Sequence, residues 1–270
     1  MANSVDSAID SSHRSILTLV AQFFAFIGEI TAIAIDTMKH ILQRDFSSKD
    51  TISLMASIGV NSMPIVVITT AFSGAVLALY TSGMMVQWGV GSLVGGGVTL
   101  SVARELGPVL TAVVVAARAG SAIAAEIGTM KVTEQIDALK SLGTSPIQYL
   151  VVPRFLALVI MLPVLAMLGM VIGSYGGYIV ATLNGVTGSS FASSTRVWLG
   201  THDITMGLLK TVFFGAFISL VGCQQGLSAS GGAAGVGKNT MNSVVISMIM
   251  IYITNYFMAE IMFGVKTPGF

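Results

Sequence analysis

The chain has 270 residues, of which 54% are hydrophobic and 9% are charged, and its formal net charge is +1. Soluble domains average about 25% charged residues, so this composition excludes a soluble globular protein and predicts an integral membrane protein. The small net charge argues against a nucleic-acid surface, and the single cysteine, Cys223, excludes an intramolecular disulfide.

The first apolar segment, residues 16–42, also carries a polar stripe. The stripe repeats mostly at three-, four- and seven-residue steps and lies opposite the apolar residues Phe23, Phe24, Ile27, Ile30 and Ile41. Its members are Ser15, Thr18, Gln22, Glu29, Asp36 and Gln43. This pattern predicts an interfacial amphipathic helix lying on the bilayer. The alternative is a sixth membrane span.

Five later segments are long and apolar enough to cross a bilayer, since a helical span needs about 20 mostly apolar residues. They are roughly 62–86, 97–125, 155–183, 205–225 and 243–264. The expected fold is therefore an all-α integral membrane protein with an N-terminal interfacial helix and five transmembrane helices.

Lysine and arginine are distributed unequally between the two sides of these five predicted spans. With the N-terminus inside, the cytoplasmic segments hold Arg14, Lys39, Arg44, Lys49, Lys131, Lys140, Arg154 and Lys238. The outer segments hold only Arg196 and Lys266. The positive-inside rule then places the segment 126–154 in the cytosol and the C-terminus outside.

Small residues recur at every fourth position in two of the spans. One stripe is Ala112, Ala116, Gly120, Ala124 and Gly128, and the other is Gly169, Gly173, Gly177, Ala181 and Gly185. Such stripes let helix backbones approach closely in lipid. We expect both to be packing faces, either within one subunit or across a dimer.

Ionisable side chains interrupt the apolar spans at Arg104, Glu105, Arg118 and Lys210. Because such groups are costly at membrane depth, they usually mark function. Arg104 and Glu105 point about 100° apart on a helix and need not pair with each other. We interpret them as a polar spot facing a cavity, the alternative being structural bonds to neighbouring helices. Arg118 is expected to be structural, and Lys210 either to snorkel to the headgroups or to attract a phosphate.

A charged segment, 131–142, directly follows the second span. Glu134, Asp137 and Lys140 recur at three-residue steps, with Ile136 and Leu139 on another face. The pattern suits either an ordinary solvated amphipathic helix or a helix that docks into the groove of a cytosolic partner.

The segment 231–240, GGAAGVGKNT, nearly matches the P-loop pattern, but Asn239 stands where a serine or threonine should hold magnesium. It also follows an apolar span rather than a β-strand, so we expect a cytoplasmic turn with Asn239 or Thr240 capping the last span. The residues His13, His40 and His202 lie far apart and show no metal-ligand spacing. No catalytic residues, metal site or cofactor are predicted for this chain.

Three motifs resemble the MlaE/YrbE permease family, the membrane subunits of MCE-type ABC transporters. They are ARELGPVLTAVVVAARAGSAIAAEIGTMKVTEQIDAL at 103–139, SPIQYLVVPR at 145–154 and GLSASGGAAGVGKNTMNSVVIS at 226–247. The resemblance covers residues 60–270 well and the N-terminal helix weakly. It divides the chain into residues 1–50, an N-terminal tail with an interfacial helix, and 51–270, a five-span permease domain.

The resemblance implies a permease that moves phospholipids or similar hydrophobic molecules between envelope membranes. It implies several partners: a second copy of the chain, two cytosolic ABC ATPase subunits that bind ATP and magnesium, and an MCE-domain substrate-binding protein outside. By position, 131–142 matches the cytoplasmic coupling helix between spans two and three, with Glu134, Ile136, Asp137, Leu139 and Lys140 as its coupling residues. Arg104 and Glu105 match the charged pair that lines the family's lipid pathway, and Lys210 is assigned to the same pathway. The expected location is a bacterial inner membrane, or else the chloroplast inner envelope.

Two other function classes compete with this interpretation. An ion-coupled secondary transporter of an amphipathic solute would show inverted repeats with broken helices, which the sequence does not display. A membrane enzyme acting on lipids would need a cytosolic histidine and aspartate constellation, which is also not seen. Co-purification with an ATPase would separate the permease from both.

Overall fold

The computed structural model describes residues 21, 24–44 and 47–264, and every regular element among them is helical. In chain order these are α1 (24–42), α2 (Ser48–Gln87), α3 (Gly91–Val132), α4 (Gln135–Ser141), α5 (Ile147–Leu183), α6 (Gly188–Trp198), α7 (Thr201–Leu227) and α8 (Gly232–Phe263). Five of the described helices, α2, α3, α5, α7 and α8, are long and apolar enough to cross a membrane. The predicted all-α fold with five spans is confirmed.

The spanning helices extend beyond the apolar segments that predicted them. Helix α2 begins at Ser48 rather than near residue 62, because Ser47 caps it by accepting a hydrogen bond from the Asp50 amide at 3.3 Å. Helix α8 begins at Gly232, after Gly231 in a left-handed conformation with φ of 81°. The turn predicted over 231–240 is therefore wrong. Asn239 does not cap the helix but lies inside it and donates to the Gln225 carbonyl at 2.9 Å.

The described part of the predicted interfacial helix is α1, and it is separate from the five spans. Its exposed apolar side chains, including Phe24 and Ile35, face away from the protein, as a helix at a membrane surface requires. Glu29 of the polar stripe instead accepts a hydrogen bond from Gln224 of α7 at 2.7 Å. The remainder of the prediction, residues 16–20, 22 and 23, lies outside the described residues, as do Arg14 and Lys266.

The small-residue stripe on α5 lets this helix lie directly against α2. A Cβ atom on Gly74 would come within 2.7 Å of the carbonyl carbon of Gly173, which is backbone and cannot give way. Gly177 similarly approaches Val98 of α3 and the carbonyl of Gly74. Close backbone approach of this kind increases van der Waals contact between helices in lipid. The stripe therefore packs within one subunit.

The stripe on α3 packs against α7 and α8, also within the subunit. Ala112, Ala116 and Ala124 are buried in the helix interface. Gly120 lies against Ile218 of α7, and its carbonyl accepts a hydrogen bond from Ser243 of α8 at 3.5 Å. These contacts fix the position of α3, the helix that carries three of the four ionisable groups predicted in the spans.

The orientation of the chain across the membrane can be tested with two single cysteines in a Cys223→Ser background. Ser189 on α6 and Ser141 on α4 are both exposed, whereas Cys223 is buried. We expect Ser189→Cys to react with an impermeant thiol reagent added outside, and Ser141→Cys to react only after the membrane is opened. Mass-shift labelling measures both, with the Cys223→Ser parent as the unreactive control. The reverse pattern would overturn the orientation drawn from the lysine and arginine bias.

Candidate functional site

Arg104 and Glu105 lie on a π-helical turn of α3, Val102–Leu106. Such turns insert one residue into an α-helix and occur frequently at functional sites. Helix α7 comes very close here, because a Cβ on Gly207 would clash with the carbonyl of Ala103. The two charged side chains therefore leave α3 where α7 is nearest, and each finds a different partner.

Arg104 pairs with Asp203 in the first turn of α7. The Arg104 Nε donates to Asp203 Oδ1 at 2.8 Å, and Nη2 lies 2.7 Å from the same oxygen. The other carboxylate oxygen accepts from the Gly200 amide at 2.8 Å and so caps α7. The guanidinium also lies over the ring of Phe263, 4.5 Å from its centroid. The prediction that Arg104 and Glu105 need not pair with each other is confirmed.

Glu105 pairs with Lys210, which sits two turns further along α7 than Asp203. Lys210 Nζ donates to Glu105 Oε1 at 2.6 Å, to the Arg104 carbonyl at 3.2 Å and to Asn255 Oδ1 at 3.2 Å. Asn255 of α8 in turn donates to Glu105 Oε2 at 2.7 Å. Lys210 is fully buried with all three ammonium hydrogens used, so it does not snorkel to the headgroups.

The cluster as a whole is electrically balanced but unevenly exposed. It contains two cations and two carboxylates, and so meets the requirement that charges at membrane depth be paired. The side chains of Asp203 and Lys210 are 8% and 0% exposed, whereas those of Arg104 and Glu105 are 35% and 39% exposed. The α7 partners thus hold the site together, and the two α3 residues present a positive and a negative group outwards.

An apolar cavity of about 310 Å³ adjoins this cluster. Its lining includes Ala103 and Ile204, the chain neighbours of Arg104 and Asp203, together with Met167 and Met170 of α5. Methionine side chains adapt to irregular apolar ligands. An apolar space beside an exposed charged pair is an arrangement that suits an amphipathic molecule.

Asp203 and Asn255 complete the cluster but were not selected from the sequence. Asp203 follows Gly200 by three residues, which is the spacing of a helix start, and this signal could have marked it as a cap. Asn255 is uncharged and lies between Thr254 and Tyr256 in a mostly apolar helix, so its sequence gives no comparable signal.

The predicted coupling segment forms the short helix α4, separated from α3 by a break at Thr133 and Glu134. Glu134 has φ of 62°, a left-handed conformation that an L-residue with a side chain rarely adopts. The chain therefore changes direction at Glu134, between the end of α3 and the start of α4. The charged segment is therefore a separate element and not a continuation of the span.

Helix α4 has a buried side and an exposed side. Ile136 is 1% exposed within the main core, and Leu139 packs against the same core. Glu134, Asp137 and Lys140 are exposed. The apolar residues thus attach α4 to the rest of the protein, and the charged residues are the ones available to a partner.

Asp137 pairs with two lysines on the exposed side of α4. Its carboxylate lies 3.3 Å from Lys140 Nζ and 3.4 Å from Lys131 Nζ. The pKa of Asp137 is lowered from its ordinary value, first by the hydrogen bond from Lys140 and then by the charge of Lys131. The exposed side therefore carries both charge signs at neutral pH.

Comparison with known proteins places these features in a family. The family described as Permease MlaE matches residues 51–261. A probable ABC transporter permease of Synechocystis is 42% identical over 246 residues, 91% of this chain and 90% of the relative. A probable ABC transporter permease of Rickettsia typhi is 46% identical over 209 residues, 77% of this chain and 81% of the relative.

A plant protein is also similar to this chain. The chloroplastic protein named trigalactosyldiacylglycerol 1 of Arabidopsis thaliana is 33% identical over 235 residues, 87% of this chain and 67% of the plant protein. Relatives of this chain therefore occur in both bacteria and a chloroplast.

Proposed function

This chain belongs to the MlaE permease family as a multi-pass ABC transporter permease, and we propose that it moves phospholipids or similar hydrophobic molecules between envelope membranes. The observation that carries the proposal is the charged pair Arg104 and Glu105, half-exposed on a membrane span beside an apolar cavity. A zwitterionic or anionic headgroup matches the pair, and acyl chains match the cavity. The name of the plant relative, which refers to a glycerolipid, also supports a lipid substrate.

In the proposed mechanism, Arg104 and Glu105 of α3 contact the headgroup, and Asp203 and Lys210 of α7 position them. Asp203 and Lys210 are buried and hold Arg104 and Glu105 in place. A lipid phosphate that approaches Arg104 gains a charge-assisted hydrogen bond while Asp203 keeps its bond to the Gly200 amide. The site thus offers the headgroup a polar contact beside an apolar cavity.

Energy for transport comes from partner ATPase components, as the membership of an ABC transporter implies. We propose two such subunits, each binding ATP and magnesium, which dock on the exposed charges of α4 in a dimer of this chain. ATP can shift the permease between conformations only if it binds the ATPases with different affinity in the two states. An MCE-domain protein on the outer side would receive or supply the lipid.

The membrane that contains the protein is proposed to be a bacterial inner membrane, with the chloroplast inner envelope as the alternative. Similar proteins come from Synechocystis and Rickettsia, and the Arabidopsis relative is chloroplastic. The source of the chain decides between these locations.

Arg104→Gln tests the proposed lipid contact. We expect the variant to assemble, because Asp203 is still bonded to the Gly200 amide, and to transfer lipid about tenfold more slowly, because one charge-assisted hydrogen bond is lost. The measurement is ATP-dependent transfer of labelled phospholipid by the permease reconstituted with its ATPase. Arg196→Gln on the outer helix α6 is the matched control. Unchanged transfer by an assembled Arg104→Gln complex would exclude this residue from the pathway.

Identification of lipid that co-purifies with the complex, by mass spectrometry, tests the substrate class directly. Phospholipid in wild-type protein, reduced in Arg104→Gln but not in Arg196→Gln, is the result expected from the proposal. Retention of a hydrophilic solute with no enriched lipid would favour the secondary-transporter alternative instead.

A further inference from the structure

Arg118 is a charged residue inside a span for which the structure offers no partner. It lies on the second π-helical turn of α3, Ala116–Gly120, and its side chain is half-buried. No described residue forms an ion pair or a side-chain hydrogen bond with its guanidinium, in contrast to Arg104, Lys210 and Arg154. The structural role expected for Arg118 therefore has no side-chain bond to support it among the described residues.

Arg118 belongs to a continuous face of α3 that begins next to the charged cluster. Residues at four-residue steps along this face are all partly or fully exposed: Leu106, Leu110, Val114, Arg118, Ala122 and Glu126. At its cytoplasmic end Glu126 is paired with Arg154 at 3.0 Å. The face thus has paired charges at both ends and an unpaired cation between them, about 21 Å along the helix from Arg104.

Three apolar side chains, Leu106, Leu110 and Val114, lie on this face between the charged cluster and Arg118, and all three are partly exposed. They are less exposed than Val245, Ile249 and Tyr256 of α8. Apolar neighbours cannot neutralise the Arg118 guanidinium, so this group needs a ligand. A free guanidinium at membrane depth needs an anion or several strong acceptors.

We propose that Arg118 binds the phosphate of a phospholipid headgroup. It forms a second headgroup-binding site on the α3 face, on the cytoplasmic side of Arg104. This inference rests on the proposed lipid-transport function and adds to it a second residue that contacts the headgroup. The acyl chains of the bound lipid would lie against the apolar side chains of Leu110 and Val114 on the same face. Arg104 and Arg118 would bind the headgroup in the same way, through a guanidinium that donates to a phosphate oxygen.

A second copy of the chain is the competing occupant of this face. Small residues such as Ala117, Ser121 and Ala125 would allow close packing there. Two-fold packing through equivalent residues, however, would bring two Arg118 side chains to the same depth. This arrangement adds a like charge and increases the need for an anion instead of meeting it. The observations therefore favour a phosphate ligand.

Native mass spectrometry of the full chain tests this assignment with three probes of identical acyl chains: phosphatidylglycerol, phosphatidylethanolamine and diacylglycerol. We expect wild-type protein to prefer both phospholipids over diacylglycerol, and Arg118→Gln to weaken phospholipid binding by about tenfold, with partial recovery in Arg118→Lys. Lys238→Gln, which removes an exposed cation from α8, should bind as the wild type does. Competition with inorganic phosphate distinguishes a lipid headgroup from a free ion, because a lipid-specific site is not emptied by it.

Each other outcome has a defined meaning. If folded Arg118→Gln binds phospholipid with wild-type affinity, this inference is wrong but the proposed function stands. If the variant loses its dimer, Arg118 is instead assigned to subunit packing, and this inference is also wrong. A site emptied by inorganic phosphate also overturns it. Wild-type protein that shows no preference for phospholipid overturns the proposed function as well.

A second measurement leaves Arg118 intact and so does not depend on the folding of its variants. Ala122→Cys in a Cys223→Ser background places a fluorophore one turn from Arg118 on the same exposed face. In vesicles of phosphatidylglycerol and phosphatidylethanolamine, we expect stronger quenching by a nitroxide on the lipid headgroup than by a nitroxide at the acyl-chain end. Stronger quenching from the chain end would contradict a headgroup at this position.

Discussion

Charge reversal on α4, by Glu134→Arg together with Asp137→Arg, is expected to abolish recruitment of the partner ATPase while leaving the permease inserted in the membrane. Both side chains are exposed, so the substitutions leave the core contacts of Ile136 intact. They also remove the carboxylate that Lys131 and Lys140 share, leaving a helix of one charge sign. A partner surface complementary to the original pattern would then face like charges, which cost several kcal/mol across an interface.

Co-purification of the ATPase with tagged permease measures the effect. The matched control is Gln135→Arg with Ser141→Arg, which adds two positive charges to exposed positions of the same helix but keeps both carboxylates. We expect the control to weaken recruitment only partly and the double reversal to remove it. Full recovery of ATPase with the double reversal would show that α4 is not the docking helix.

The spans were predictable because each has a long apolar stretch, but their ends were not. Helix α2 extends beyond the apolar stretch towards its N-terminus. This part includes the polar residues Ser53, Ser57 and Asn61, which a hydropathy criterion places outside the span. Helix α8 likewise starts in the glycine-rich segment that resembles a turn, since Gly231 and Gly232, both with positive φ, turn the chain and the residues after them are helical. Hydropathy detects the part of a helix that lies in lipid, and not the part that continues beyond it.

The charged residues of the site were predictable, whereas their pairing was not. Arg104, Glu105 and Lys210 stand out because ionisable groups are rare in apolar spans. Their partners are remote in sequence, since Asp203 lies 99 residues from Arg104 and Asn255 lies 150 residues from Glu105. Only the packing of α3 against α7 and α8 brings these groups together. The same packing shows that Arg118 remains without a partner among the described residues.

Removal of Glu105 is expected to lower the free energy of unfolding more than removal of its partner Lys210. Glu105→Ala leaves the fully buried Lys210 ammonium with only two neutral acceptors, the Arg104 carbonyl and Asn255. Breaking a buried pair in this way costs about 3–5 kcal/mol. The partial exposure of Glu105 makes the lower end of that range the better estimate. Lys210→Met instead leaves a carboxylate that is 39% exposed and still bonded to Asn255 at 2.7 Å, a loss of about 1–2 kcal/mol.

Thermal unfolding of the detergent-solubilised chain, followed by the monodisperse fraction in size exclusion, measures this asymmetry. Glu105→Gln serves as the conservative variant, because it keeps an acceptor for Lys210 and removes only the charge. We expect the order of stability to be wild type, Lys210→Met, Glu105→Gln and then Glu105→Ala. The double variant Glu105→Ala with Lys210→Met should be more stable than Glu105→Ala alone, since it removes the stranded ammonium. If Lys210→Met were the least stable variant, the loss of stability would not come from leaving the buried Lys210 ammonium without its carboxylate. Arg104 and Glu105 would then have to be held in place by contacts other than those from α7.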